Sequence, residues 1–143
     1  MDRAQSTEKP SGECVSMSDN RNMRNKQVGR FGENCAVDYL VSIGYRIAER
    51  NYRCEHGEID IVAYDGDVLV FAEVKTRRSR RFGEPCEAVG IKKQQTIYDC
   101  ATRYTIDNDT ECEVRFDVIE VIYSDSGKGF AADEVNHIRR AFC

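Results

Sequence analysis

The stretch EIDIVAYDGDVLVFAEVKTR, residues 58–77, decides the fold. Two runs rich in Ile, Val and Phe, residues 58–64 and 67–76, flank Asp65-Gly66. An Asp-Gly pair between β-prone runs is a strong signal for a two-residue hairpin turn. With Asp65 and Gly66 as that turn, Tyr64 pairs with Asp67, Ile61 with Val70, Asp60 with Phe71 and Glu58 with Glu73. Successive side chains point to opposite faces, so this register sorts them. Ile59, Ile61, Ala63, Val68, Val70, Ala72 and Val74 fall on one face, which is apolar throughout. Glu58, Asp60, Phe71, Glu73 and Lys75 fall on the other.

Upstream, residues 1–26 are rich in Ser, Asn, Asp, Glu and Arg without apolar periodicity. They read as a disordered leader ahead of one domain at residues 27–143, with order beginning at Val28. Val28, Phe31, Cys35, Ala36, Tyr39, Leu40 and Ile43 recur at three- and four-residue spacing, one face of a helix that contains Glu33 and stops at Gly44. Residues 45–52 predict a strand and 53–57 a polar loop. Downstream of the hairpin comes the basic run Arg77, Arg78, Ser79, Arg80, Arg81. A helix over about residues 88–104 follows, with Ile91, Ile97, Ala101 and Tyr104 inward. Residues 113–123 alternate as a strand, placing Val114, Phe116, Val118 and Glu120 on one side and Arg115, Asp117, Ile119 and Val121 on the other. A short element closes the chain at 135–142. Helix, three strands, helix and strand make an α/β fold, a central mixed β-sheet flanked by helices.

With 143 residues and 41% hydrophobic content, the chain suits one domain of ordinary size. No run approaches the roughly 18 apolar residues of a membrane span, and the N-terminus lacks the apolar core of an export signal. The expectation is a cytoplasmic protein with no membrane partner. Seven cysteines, odd in number and without a CxxC pair, read as reduced packing residues. The net charge of -4 and pI near 5.3 argue against coating nucleic acid by bulk charge. Yet Arg77, Arg78, Arg80, Arg81, Lys92 and Lys93 stand close to Lys75 in sequence, against only Glu84 and Glu87. These six are the expected nucleic-acid-binding residues.

Three carboxylates and a lysine on one face of a central hairpin repel unless a cation, a shared proton or solvent relieves them. A hard divalent ion, Mg²⁺ or Mn²⁺, suits oxygen donors and keeps waters, so Asp60, Glu73 and the backbone carbonyl of Val74 form a candidate ligand set. Lys75 is placed to orient the attacking water and to stabilise charge on a phosphate. Metal-assisted phosphodiester hydrolysis is the chemistry such a set supports. A surface ion-pair ladder of Glu58, Glu73 and Lys75 fits the same pattern. His56-Gly57-Glu58 and Pro85-Cys86 echo a zinc deaminase signature, but Val89 stands where the second cysteine belongs, leaving too few ligands.

Asp60 followed by Glu73-Val74-Lys75 across a hairpin, with a helical Glu33 ahead, resembles the PD-(D/E)XK nuclease superfamily. Three blocks extend the likeness: Gly29-Arg30-Phe31-Gly32-Glu33, Gly57-Glu58-Ile59-Asp60-Ile61-Val62-Ala63 and Phe71-Ala72-Glu73-Val74-Lys75-Thr76-Arg77. Together they resemble the YraN-like family, related to archaeal Holliday junction resolvases, over about residues 28–142. The resemblance implies a restriction-endonuclease-like core. It makes Asp60 and Glu73 metal ligands, Lys75 the catalytic lysine and Glu33 a further acidic residue that reaches the metal directly or through water. It implies an Mg²⁺- or Mn²⁺-dependent endonuclease acting on DNA of branched or other structured form. A homodimer is implied as well, since cutting two strands symmetrically needs two sites. The alternative is a noncatalytic nucleic-acid-binding or assembly module that keeps the fold. Gln94 and Tyr98 match a Q-x-x-x-Y element of some nucleases, a spacing equally suited to ordinary helix packing.

Overall fold

The computed structural model describes residues 17–78 and 89–142. Its elements are α1 (Met17–Ser42), β1 (Arg46–Cys54), β2 (Gly57–Asp65), β3 (Val68–Arg77), α2 (Ile91–Asp107), β4 (Val114–Asp125) and β5 (Phe130–Ile138). The strands form one sheet in chain order, with β3 and β4 parallel and every other pair antiparallel. The expected α/β arrangement with a flanked central mixed sheet is what the chain adopts, consistent with a restriction-endonuclease-like core. Among the described residues no helix is long and apolar enough to cross a membrane.

The parallel pair sits at the centre and is covered on both faces, which explains its nearly unbroken apolar runs. On one face α1 packs Ala36 and Leu40 against Ile61, Ala63, Val70, Ala72, Ile119 and Val121. On the other α2 packs Ile97, Cys100, Ala101 and Tyr104 against Val62, Leu69, Phe71 and Val118. The two faces of β4 match those read from its alternation. Ile91, expected inward, is 84% exposed. It lies six residues ahead of Ile97, off the stripe that Ile97, Ala101 and Tyr104 define at helical spacing.

Helix α1 begins at Met17, well ahead of Val28. Residues 20–27 are exposed all round, so no apolar periodicity marks them. They extend a helix nucleated by the packed half, where each added residue gains a hydrogen bond at little cost. The β1–β2 connection is also tighter than a loop over residues 53–57, because Cys54 pairs with Gly57 and only Glu55 and His56 turn.

The central hairpin differs by one residue at its turn. Asp65 pairs with Val68 and Tyr64 with Leu69, leaving Gly66 and Asp67 as the loop. Gly66 takes φ 60°, the positive value that a type II′ connection asks of its first central residue. Ile61 therefore faces Ala72 instead of Val70.

Asp65 is kept in the strand by Arg115. The Arg115 guanidinium donates to Asp65 Oδ2 at 2.9 Å, to Tyr45 Oη at 2.6 Å and through two nitrogens to Asp117 at 2.9 Å each. Asp117, fully buried, also accepts from His137 Nε2 at 2.7 Å and from the Arg140 N–H at 3.2 Å. Tyr39 Oη lies 3.1 Å from His137 Nδ1. Burial pushes the Asp117 carboxyl up, but the donors from His137, Arg115 and Arg140 outweigh it and hold the group below its ordinary range. One buried network thus joins α1, β2, β4 and β5.

Gly32 sets how closely α1 approaches the sheet. A Cβ placed there would lie 1.8 Å from Thr76 Oγ1 and 2.8 Å from Thr76 Cβ, whereas one at Gly29 meets nothing within 4 Å. Gly32→Ala should therefore destabilise the protein by about 1–3 kcal/mol through overpacking. Gly29→Ala on the same helix should instead be neutral or stabilising, by up to about 1 kcal/mol. Urea unfolding of both variants checks the contrast, and equal effects would remove the close approach as its cause.

Candidate active site

The hairpin ladder between β2 and β3 ends at Ile61 and Ala72. Continued one step, the register sets Asp60 against Glu73, so the slipped turn brings these two carboxylates side by side. Glu58, expected opposite Glu73, instead approaches Arg53 of β1 at 3.5 Å. Across β1 from Asp60, Asn51 adopts φ 53°, a left-handed conformation that Asn tolerates better than most residues. The alternation of β2 breaks there. Ile59 joins the α2-side core while Ile61 stays on the α1 side, which corrects the single apolar face expected to hold both. At this break the Val74 N–H donates to Asp60 Oδ2 at 2.8 Å, a side chain taking the part of a ladder carbonyl.

Glu73 is only 5% exposed, and its Oε1 is buried with no hydrogen-bond partner. Its Oε2 lies 3.9 Å from Lys75 Nζ and 3.7 Å from Lys93 Nζ. Burial, then the neighbouring Asp60 charge, pushes the Glu73 carboxyl up to about 8 against the pull of the two lysines. Asp60 is raised as well by burial, opposed by the Val74 N–H. Glu33 on α1 is raised by burial and by Asp60, with a hydrogen bond from Asn51 opposing. Glu33, Asp60, Glu73, Val74 and Thr76 line a cleft of about 360 Å³. The four sequence-expected residues Glu33, Asp60, Glu73 and Lys75 are thus gathered at one place.

The donor set is two carboxylates on neighbouring strands, a third on the facing helix and a backbone carbonyl at Val74. Among the described residues, no group of three or more His, Cys, Asp or Glu side chains is placed to hold a metal ion, so any ion here would rest on two carboxylates, a carbonyl and water. Such a partial shell does not suit structural zinc, which takes four protein ligands. It fits Mg²⁺ or Mn²⁺, which hold on to several waters. The buried Glu73 Oε1 supplies the test of fit, because an unpartnered carboxylate oxygen in that position calls for a proton or a cation.

The six basic residues separate. Lys93 reaches Glu73 from the first turn of α2, and Lys92 beside it is exposed. Arg77 forms an ion pair with the fully buried Glu120 across the β3–β4 seam, and Asn136 Nδ2 donates to the same carboxylate at 3.1 Å. Arg78 is exposed, with its guanidinium 5.8 Å from the Tyr123 ring centroid. Arg80 and Arg81 lie outside the described residues. Gln94 caps backward onto the Val89 carbonyl at 2.9 Å, and Tyr98 packs on Phe116. Sequence reasoning missed Lys93 as a neighbour of Glu73 and the left-handed conformation of Asn51 within β1. An Asn within an otherwise β-prone run was the available signal for the second; nothing local signals the first.

Residues 32–121 match the family described as Uncharacterised protein family UPF0102. A UPF0102 protein of Clostridioides difficile strain 630 is 46% identical over 121 residues, covering 84% of this chain and 100% of the relative. One from Clostridium botulinum strain Hall is 47% identical over 120 residues, covering 82% and 95%. One from Alkaliphilus oremlandii is 46% identical over 121 residues, covering 82% and 99%.

The raised Glu73 carboxyl has a signed consequence for stability. A group that binds its proton more tightly when folded contributes stability that is complete below the unfolded value of about 4.5 and lost as pH rises through about 8. Thermal melts in chelator should therefore show Tm falling from about pH 5 to about pH 9, and Glu73→Gln should flatten that fall. An unchanged slope in the variant would locate the effect elsewhere.

Proposed function

The chain belongs to the UPF0102 family, and from that footing we propose that it is a metal-dependent DNA endonuclease of the PD-(D/E)XK type, related to the resolvases of branched DNA. The observation that carries the reading is the buried, unpartnered Glu73 Oε1 beside Asp60, with two lysine ammonium groups within 4 Å of the same carboxylate. Two carboxylates buried together need a cation or a shared proton between them, and the neighbouring lysines and the open cleft favour a site that takes a cation.

Asp60 and Glu73 would hold Mg²⁺ or Mn²⁺, with the Val74 carbonyl as a further donor. Mg²⁺ or Mn²⁺ held there would supply polarisation of a phosphoryl oxygen and a lowered pKa of bound water. Burial and the Asp60 charge raise the Glu73 carboxyl, and a bound cation would favour its charged form. Lys75, on the same strand, sets its ammonium against the charge that develops on the scissile phosphate. Lys93 adds a second positive group from α2. Glu33, on the helix that forms the far wall of the cleft, accepts hydrogen bonds from water and so orients the nucleophile. Cutting both strands of a branch then calls for a second copy of the chain.

Purified protein should cut branched, single-stranded or duplex DNA in Mg²⁺ or Mn²⁺ and lose activity on chelation. Glu73→Ala and Lys75→Ala should each lower the rate by about 10²-fold or more. Activity that survives either change would belong to a contaminant and would sink the reading. Calorimetric titration with Mn²⁺ should lose its heat in Asp60→Ala. DNA binding without cleavage in the parent protein would leave the noncatalytic module as the function.

A further inference from the structure

A second groove lies beside the cleft, and it concentrates positive charge that the fold itself does not use. It is about 590 Å³ in volume and runs between α1 and the β1–β2 hairpin, sharing Gly29 and Glu33 with the carboxylate cleft. Its cations are Lys26 and Arg30 of α1 and Arg50 and Arg53 of β1, set against the carboxylates of Glu33 and Glu58. In a chain of net charge -4, four cations to two acids along one groove is a local reversal of sign.

Lys26 and Arg30 stand four residues apart on one helix, so their side chains lie on the same face. Both are exposed, and among the described residues neither forms an ion pair. The Arg50 Nη2 donates to Asn34 Oδ1 at 2.7 Å, a neutral partner that orients the guanidinium and leaves its charge intact. Arg53 approaches Glu58 at 3.5 Å with its side chain 77% exposed, a contact that costs little to exchange. Arg77, by contrast, has its charge engaged by Glu120 inside the sheet.

We propose that this groove is the track for a phosphodiester backbone, along which Lys26, Arg30, Arg50 and Arg53 contact successive phosphates and lead one strand to Asp60 and Glu73. This rests on the nuclease reading and deepens it, by assigning the substrate's backbone to residues outside the basic run that follows β3. Arginine forks match phosphate oxygens through paired N–H donors, and lysine serves as a mobile point charge. The shared Glu33 marks where the track meets the reacting centre. Cations spread over two elements along an open groove suit a polymer of phosphates better than a single small anion.

The test measures fluorescence anisotropy of labelled single-stranded and duplex oligonucleotides across a salt series, with Glu73→Gln as the parent so that no strand is cut. Adding Lys26→Ala and Arg30→Ala should weaken binding at least about tenfold. It should also reduce the slope of log affinity against log salt by about 1.8 for duplex or about 1.4 for single strands, two phosphate contacts in either case. The arm that shows its full reduction identifies the form of strand in the groove. Lys26→Arg with Arg30→Lys should keep the parent slope, and both doubly substituted proteins should retain the parent Tm. Unchanged affinity and slope in the alanine variant would overturn the track while the carboxylate chemistry stood. Equal competition by polyglutamate of matched charge would overturn the assignment to nucleic acid. If wild-type protein neither binds nor cuts any of the DNAs, the proposed function falls, and the track with it.

Discussion

The Arg115 guanidinium holds the geometry from which the rest follows. It is 8% exposed and grips Asp117 through Nε and Nη2, while Nη2 also reaches Tyr45 just ahead of β1 and Nη1 reaches Asp65 at the end of β2. An arginine buried this deeply needs its charge balanced and its donors occupied, and here Asp117 two residues on is joined by Asp65 and Tyr45, fifty and seventy residues away. Holding Asp65 in the strand leaves Gly66 and Asp67 to turn the chain, and the turn sets the register of every pair beyond it. Had Asp65 itself been in the turn, Asp60 would have faced Phe71. The position of the candidate site is therefore decided at the opposite end of the hairpin, by a side chain on β4.

Glu73 and Glu120 are buried on neighbouring central strands, and the fold treats them differently. Glu120 is neutralised by Arg77 and hydrogen-bonded by Asn136, so its charge is absorbed into the seam between β3 and β4. Glu73 lies against Asp60, has two lysines only at the edge of ion-pair range, and keeps one oxygen without a hydrogen-bond partner. Leaving a buried polar group unsatisfied costs about 1–3 kcal/mol, more for a charged one. Cost of that kind concentrated at one residue, beside a second carboxylate and open to a cleft, is the pattern expected where a site is built at the expense of stability.

Much of this was legible from the residues alone. The apolar runs at Val68–Arg77 and Val114–Asp125 announced central strands, and alternation in the second separated its faces correctly. Asp60 and Glu73 stood out because carboxylates do not belong in β-prone apolar runs without a reason, and Lys75 because it follows Glu73 at a two-residue spacing. The turn was misplaced by one residue because Asp65 is bound by Arg115, fifty positions away, a partner no local pattern reveals. The first part of α1 was invisible because a helix exposed on every side carries no periodic signature. Lys93 and His137 find their partners only when the chain folds back, one onto Glu73 and the other onto Asp117. Asn51 was written in the sequence as a misfit residue within a strand, but what it accomplishes, turning β1 and β2 over beside Asp60, belongs to three dimensions.

The parallel pairing of β3 with β4 has a consequence for the order of assembly. Strands β1, β2 and β3 are joined by two short hairpins, and β4 and β5 by another, so each group can form from near neighbours. The seam between them pairs Leu69 with Val114 and Glu73 with Val118, contacts separated by α2 and closed only against a larger loop entropy. Until that seam closes, Glu73 lies on the open edge of a three-stranded meander, where water solvates its charge. Closing the seam is therefore the step that removes water from Glu73, and it carries the loop entropy and the electrostatic penalty of the site together.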